Sequence, residues 1–311
     1  MMNNWRCPAI DRGVTIYDDG LIRPCCVIDW SYSKPISEIR NPDRFKDLYT
    51  NEIPDVCKKC TRQEKNNLPS RRQRHLALEK QKPNNRSTIQ YIDLCNTNLC
   101  NARCEFCGPH HTNQWPGAVL RRQDIAEYTK DLFSDDLIEI YFYGGEPLIS
   151  QDHFMILNHL INNYDTKSIN LRYSSNLSTL KYKDADFIQM WKQFKNVLIM
   201  SSADATGTHY ENIRVGLNWT TFETNLKKLI ANNVKTSIFV VLCTLNIWTI
   251  KETLDYFRSQ GYEFHIEVLK GPDEMRLCRV TDKDRAVQQI YACKLSKSLT
   301  DYIIKEIYEQ E

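Results

Sequence analysis

At 311 residues the chain exceeds the usual size of one domain, so one large domain of about 200 residues with a smaller appendage is expected. Hydrophobic residues at 41% and charged residues at 26% are ordinary for a soluble globular protein, no apolar run is long enough to cross a bilayer, and a net charge of +2 selects no class of partner. The first eight residues hold Arg6 and Cys7 but no apolar stretch and no small-residue cleavage site, which makes the cytoplasm the expected compartment, with no membrane partner.

Residues 1–87 read as a small separate module: extended pieces at Val14–Tyr17 and Leu21–Arg23, Pro-containing loops, and one basic helix around 70–80. The stretch Cys57 to Arg86 carries ten Lys or Arg against Glu64 and Glu79, a local excess of +8, which reads either as a phosphate- or carboxylate-attracting surface or as a solvated helix face. Gln81–Arg86, broken by Pro83 and two Asn, is the expected linker. From residue 88, apolar runs at 88–95, 138–143, 168–174, 196–203, 235–245 and 263–269 predict strands, alternating with helices near 119–132, 152–164, 182–193, 219–232 and 250–260. One strand per 30 or so residues is the size of a βα repeat. The expected class is therefore α/β, a partial (β/α)6 TIM-like barrel over 88–280 with a small N-terminal iron-sulfur module, and a C-terminal helical segment over 281–311. A flat doubly wound sheet gives the same alternation, so the motifs must decide.

Twelve cysteines in a chain expected to meet reducing conditions argue for metal rather than disulfides, and nine of them lie within the first 107 residues. Cys100, Cys104 and Cys107 follow the predicted strand Ile89–Leu94, at the carboxyl end where a barrel places its active site. Three close thiolates suit a 4Fe-4S cluster with one iron left open. The C-x3-C-x2-C spacing, with Phe106 before the last cysteine, resembles the signature of the radical S-adenosylmethionine (SAM) superfamily. That resemblance implies reductive cleavage of SAM to a 5'-deoxyadenosyl radical that abstracts hydrogen from a substrate. It also implies that Gly144, Gly145 and Glu146, after the second barrel strand, match the motif for the methionine part of SAM. Ser175, Asn176, Ser202 and Asp204, at later strand ends, become candidate SAM contacts, each with local turn capping as the alternative, and Arg214 downstream becomes a candidate contact to SAM or substrate. Cys95 falls outside the spacing and reads as structural. His110, His111 and Trp115 read as a polar loop tip or as pocket lining.

Upstream, Cys7 and Cys25 in a C-x12-G-x4-C pattern, with the pair Cys57 and Cys60, can complete a second 4Fe-4S cluster or a zinc site, with Cys26 as an alternative to Cys25. The pattern resembles the SPASM and twitch modules of radical SAM enzymes, here ahead of the barrel, as in proteins called twitch domain-containing radical SAM proteins. The resemblance implies two 4Fe-4S clusters and SAM as cofactors, a reductant such as flavodoxin or ferredoxin, and a peptide or protein substrate with a separate recognition partner. The alternatives are the same chemistry on a nucleotide, sugar or nucleic-acid base drawn by the basic stretch, and a zinc-stabilised nucleic-acid-binding protein without catalysis.

Overall fold

The computed structural model describes residues 6–50, 52–82 and 88–309. The chain forms two compact units, the first made of 1–99, 120–172 and 189–197, the second of 100–119, 173–188 and 198–311.

In the first unit, strand β1 (Gly13–Tyr17) and strand β2 (Leu21–Arg23) form an antiparallel hairpin. Strand β3 (Tyr91–Cys95) runs parallel to β1, with Gly13 opposite Tyr91, Thr15 opposite Asp93 and Tyr17 opposite Cys95. Strand β4 (Glu139–Phe142) runs parallel to β3, with Tyr91 opposite Glu139 and Asp93 opposite Tyr141. Every residue of β1 is buried. A module as short as 1–87 offers little core to cover such a strand, and pairing with β3 supplies the cover. The described residues 6–50 and 52–82 fall in the same compact unit as strands β3 and β4. The expected linker lies mostly at 83–87, outside the described residues.

Strands β5 (Asn170–Ser175) and β6 (Asn196–Ser202) carry the chain from one unit to the other. In the second unit β6, β7 (Lys235–Leu242) and β8 (Phe264–Val268) pair in parallel, with Trp219–Ala231 and Ile250–Ser259 as the intervening helices. The last two helices, Lys283–Ala292 and Lys297–Ile307, belong to this same unit.

Two helix expectations shrink. Over 119–132 only Ala126–Leu132 is helical, because the backbone of 121–123 is engaged elsewhere. Asn98 N–H donates to the Arg121 carbonyl, Arg121 N–H donates to Asn98 Oδ1, and Gln123 N–H donates to the Asn96 carbonyl. Over 182–193 a two-residue hairpin, Lys181–Tyr182 with Ala185–Asp186, takes the first part and leaves only Phe187–Trp191 helical.

The basic helix does form, as α1 (Arg71–Leu78), started by a capping box between Ser70 and Gln73. Its arginines are not a free surface. Arg71, its side chain 6% exposed, pairs with Asp93 and Glu139; Arg74 also pairs with Glu139; Arg72 pairs with Glu64. Further on, Lys82 donates to the carbonyl of Leu137 at 2.9 Å. Neither expected reading of the +8 stretch describes these three arginines, because Asp93 and Glu139 from later strands balance Arg71 and Arg74, and Glu64 within the stretch balances Arg72. Replacing Arg71 by Leu leaves two carboxylates buried with less compensation. Denaturant unfolding is expected to show a loss of about 3–5 kcal/mol.

Candidate functional site

Cys100, Cys104 and Cys107 lie in the second unit on a loop held by its own polar residues. Asn113 Oδ1 accepts from the Cys100 N–H at 2.9 Å, Gln114 Nε2 donates to the Cys100 carbonyl at 2.8 Å, and Thr112 Oγ1 donates to the Ala102 carbonyl at 3.0 Å. The short strand Arg103–Cys104 pairs antiparallel with Arg214–Val215, setting Arg214 opposite Cys104. From there the guanidinium directs Nη1 at Cys104 Sγ, 3.7 Å away, and lies 5.6 Å from the Phe106 ring centroid. Its Nε stands 2.8 Å from the carboxylate of Asp204, which is fully buried and also accepts the Val241 N–H at 2.7 Å. The hydrogen bond with Cys107 lowers the Cys104 thiol, and Arg214 adds to that shift against the burial that would raise it. Cys107, the donor in that pair, is raised. Arg214 and Asp204, expected as SAM contacts, are thus paired with each other, and Arg214 also reaches a cysteine of the triplet.

The turn Gly144–Glu146 lies in the first unit. Gly145 N–H donates to the Thr97 carbonyl at 3.2 Å and Glu146 N–H to the Leu99 carbonyl at 2.7 Å, which fastens the turn to residues 97–99 of the same unit. Gly145 packs so closely on that segment that a Cβ would strike the Leu99 carbonyl, and Gly144 adopts a φ of +114° that side chains disfavour. Glu146 is buried, with Oε1 accepting the Leu148 N–H at 3.0 Å.

In the second unit Ser175 Oγ accepts the Leu177 N–H at 3.0 Å, a capping contact. Asn176 Nδ2 donates to Asn101 Oδ1 at 2.9 Å, tying the end of β5 to the residue after Cys100. Ser202 closes β6, half-buried. His110 and His111 are exposed, while Trp115 is half-buried beneath Arg103, 5.2 Å from its ring centroid. Asn101, Asn113 and Gln114 hold the cysteine loop, a role that spacing alone does not assign, since polar residues in such gaps look like any surface loop.

The amino-terminal cysteines converge in the first unit. Cys7, Cys25, Cys57 and Cys60 line one cavity, together with Arg72 and His75. Burial first, and then the neighbouring thiols, push Cys57 up to about 12, and the same causes raise Cys25. Burial pushes Cys7 up to about 11, opposed by the nearby backbone N–H groups of Ala9 and Ile10, the latter also donating to the Cys7 carbonyl at 3.1 Å. The N–H groups of Arg71 and Arg72, at the start of α1, point at Cys60 in the same way. Cys26 is not among the lining residues; its N–H donates to Asp93 Oδ2 at 3.1 Å and its thiol lies near Asp93 and Arg71. Among the described residues no three Cys, His, Asp or Glu side chains close on a single-ion position. Soft thiol donors set around a cavity, with N–H groups aimed at sulfur, fit an iron-sulfur cluster in donor chemistry. Three thiols with one buried guanidinium at Cys104 fit one likewise.

Comparison with known proteins places this geometry in a family. A model described as the radical SAM superfamily matches residues 96–257. The curated proteins include a GTP 3',8-cyclase of Campylobacter lari, 28% identical over 103 residues, which are 32% of this chain and 31% of that protein. A GTP 3',8-cyclase of Nautilia profundicola is 32% identical over 66 residues, 21% of each. The matched segments thus span less than a third of these relatives. Among solved structures, anSMEcpe with bound AdoMet aligns at a TM-score of 0.49 and 14% identity, covering 65% of this chain and 56% of that one. SuiB of Streptococcus suis bound to S-adenosylmethionine aligns at 0.45 and 15%, covering 87% and 57%. With its α/β fold and parallel strands, and with the family model spanning more than half of its length, the chain belongs to the radical SAM superfamily.

Proposed function

We propose that this protein is a SAM-dependent enzyme that abstracts hydrogen from a peptide or protein. The observation that carries the reading is the loop of Cys100, Cys104 and Cys107, with Arg214 opposite Cys104 and Asp204 behind the guanidinium. A 4Fe-4S cluster on these thiolates would supply the electron that splits SAM and so provides the abstracting radical. Arg214 stabilises the Cys104 thiolate, and Asp204 keeps Arg214 in place. Gly144 and Gly145 let the methionine part of SAM approach backbone, and Glu146, buried beside them, takes the place of the residue that meets its ammonium group in the motif it resembles. Cys7, Cys25, Cys57 and Cys60 hold a second 4Fe-4S cluster with no iron left open, which suits electron transfer or structural support. Cys25 is the ligand and Cys26 is not, since only Cys25 lines the cavity. The electron comes from a reductant of the flavodoxin or ferredoxin class. A separate recognition partner would present the peptide.

The peptide reading rests on the resemblance to twitch and SPASM proteins. A nucleotide substrate is favoured instead by the cyclase relatives, although their similarity covers under a third of their length. Arg71, Arg72 and Arg74 of the basic stretch lend it no support, because each is ion-paired within the protein.

Anaerobic reconstitution with dithionite and SAM tests the reading. The expected result is 5'-deoxyadenosine together with about eight iron atoms per chain, falling to about four when Cys57 and Cys60 are both replaced by Ala. Fully loaded protein that releases no 5'-deoxyadenosine refutes the enzyme assignment, and an iron content of about four in the unaltered chain refutes the second cluster. Gly145→Ala should weaken SAM binding by at least about tenfold in equilibrium dialysis, because the new Cβ forces the Leu99 carbonyl to move.

A further inference from the structure

One turn after Arg71, α1 places His75 on the lining of the cavity that also holds Cys7, Cys25, Cys57 and Cys60. Among the described residues it is the one histidine there. Helical spacing explains why it lies inside: Arg71, His75 and Leu78 stand at i, i+4 and i+7, and all three are buried, with Leu78 in a cluster with Tyr91 and Ile138. The imidazole is 1% exposed and stacks on Tyr91 of β3, with ring centroids 4.6 Å apart and an interplanar angle of 23°. Tyr91 thus covers a face of the ring and leaves its nitrogens, which bond in the ring plane, at the uncovered edge.

Packing alone does not account for an imidazole at this position. Both ring nitrogens are buried, and neither has a hydrogen-bond partner among the described residues, the four thiols included. A buried donor without an acceptor is costly, whereas an apolar side chain such as Leu78, one turn on, carries no such cost. Burial first, and then Arg71, Arg74, Arg172 and Arg12, keep the ring from taking a second proton. A neutral imidazole offers one N–H, and four guanidiniums around it favour a negatively charged acceptor. A zinc ion among the thiolates supplies no such acceptor. The sulfides of a 4Fe-4S cluster do, since hydrogen bonds to cluster sulfur are one of the controls on its potential.

We propose that His75 donates its N–H to a sulfur of the second 4Fe-4S cluster and thereby raises the reduction potential of that centre. The inference rests on the second-cluster reading above. His75 binds no iron in this role; it acts through the sulfur it contacts. One electron arrives from the reductant of the flavodoxin or ferredoxin class, no covalent bond forms or breaks, and His75 keeps its proton. The added electron increases the negative charge on the sulfurs, so the hydrogen bond is stronger after reduction than before, and the difference favours the reduced state. Helix α1 then serves the site twice: the N–H groups of Arg71 and Arg72 approach Cys60, and one turn later the side chain of His75 supplies a donor of its own.

The test uses the full chain with Cys100, Cys104 and Cys107 replaced by Ala, so that only the amino-terminal site can carry a cluster, reconstituted anaerobically and reduced with dithionite. In this parent protein, made with nitrogen-labelled histidine, pulsed EPR of the reduced cluster is expected to show a weak coupling to the label that is lost in His75→Phe. Redox titration followed by EPR should give a lower midpoint potential in His75→Phe than in the parent. His75→Gln, which keeps an N–H donor, should recover part of the shift. Absence of the coupling in the parent overturns the proposal without any substitution of His75. A strong coupling, the mark of a nitrogen bound to iron, overturns it as well, and so does a potential that His75→Phe leaves unchanged. Where His75→Phe does not hold its cluster, His75→Gln carries the comparison, and a coupling that persists in it overturns the assignment. A parent that holds zinc or no iron removes the second-cluster reading and His75 with it, whereas about four iron atoms without coupling remove the role of His75 alone.

Discussion

Separate parts of the first unit meet at the carboxylate of Asp93, buried in β3. Arg71 of the capped helix α1 pairs with it, Thr15 of β1 donates to it, and the backbone N–H of Cys26 donates to it as well. A carboxylate and a guanidinium removed from water lose several kcal/mol of hydration each, and the pair is tolerable only when further hydrogen bonds satisfy the remaining lone pairs. Asp93 meets that condition by drawing in β1 and the Cys25–Cys26 loop. The same pairing orients the start of α1, whose N–H groups point at Cys60. One buried charge thus sets the register of β1 on β3, the turn that directs Cys25 into the cavity and Cys26 away from it, and the approach of the helix to a second thiol.

The two cysteine sets are stabilised by different means. At the triplet a guanidinium, itself held by Asp204, approaches Cys104, while in the amino-terminal cavity backbone N–H groups approach Cys7 and Cys60. Charges and hydrogen bonds at sulfur shift the potential of an iron-sulfur centre, and they also orient the ligands. A buried pair such as Arg214 and Asp204 is a fixed charge arrangement, whereas N–H groups at helix starts are partial dipoles. Burial raises all four thiols, and neighbouring thiols add to the shift at Cys7, Cys25 and Cys57. Binding of the proposed cluster would offset that and would couple folding of the amino-terminal segment to metal.

The strands were readable because apolar periodicity reports burial directly. Each of the six expected barrel strands appears within a few residues of its position, and Val14–Tyr17 and Leu21–Arg23 appear as the hairpin β1–β2. What failed depended on partners distant in sequence. The segment 119–132 has helical composition, but the Asn96–Asn98 segment takes up its backbone hydrogen bonds. The basic stretch counts as +8 only while Asp93 and Glu139, contributed by later strands, are left out of the sum. The choice between Cys25 and Cys26 is likewise invisible locally, since adjacent residues in a turn point apart according to what the backbone bonds to.

Cys95 shows most plainly where motif reading stops. A signature identifies residues by spacing, and Cys95 stands outside it, so from the sequence it reads as structural. Parallel pairing relates residues by register instead, and register brings Cys95 beside Tyr17, 78 positions earlier in the chain, and Tyr143, 48 positions later. Gly144 joins the two descriptions. The motif explains its missing side chain by the approach of a cofactor, and the packing explains it by the thiol that occupies the space a Cβ would need. A side chain there would displace Cys95, so the packing of the thiol is by itself enough to require glycine at this position.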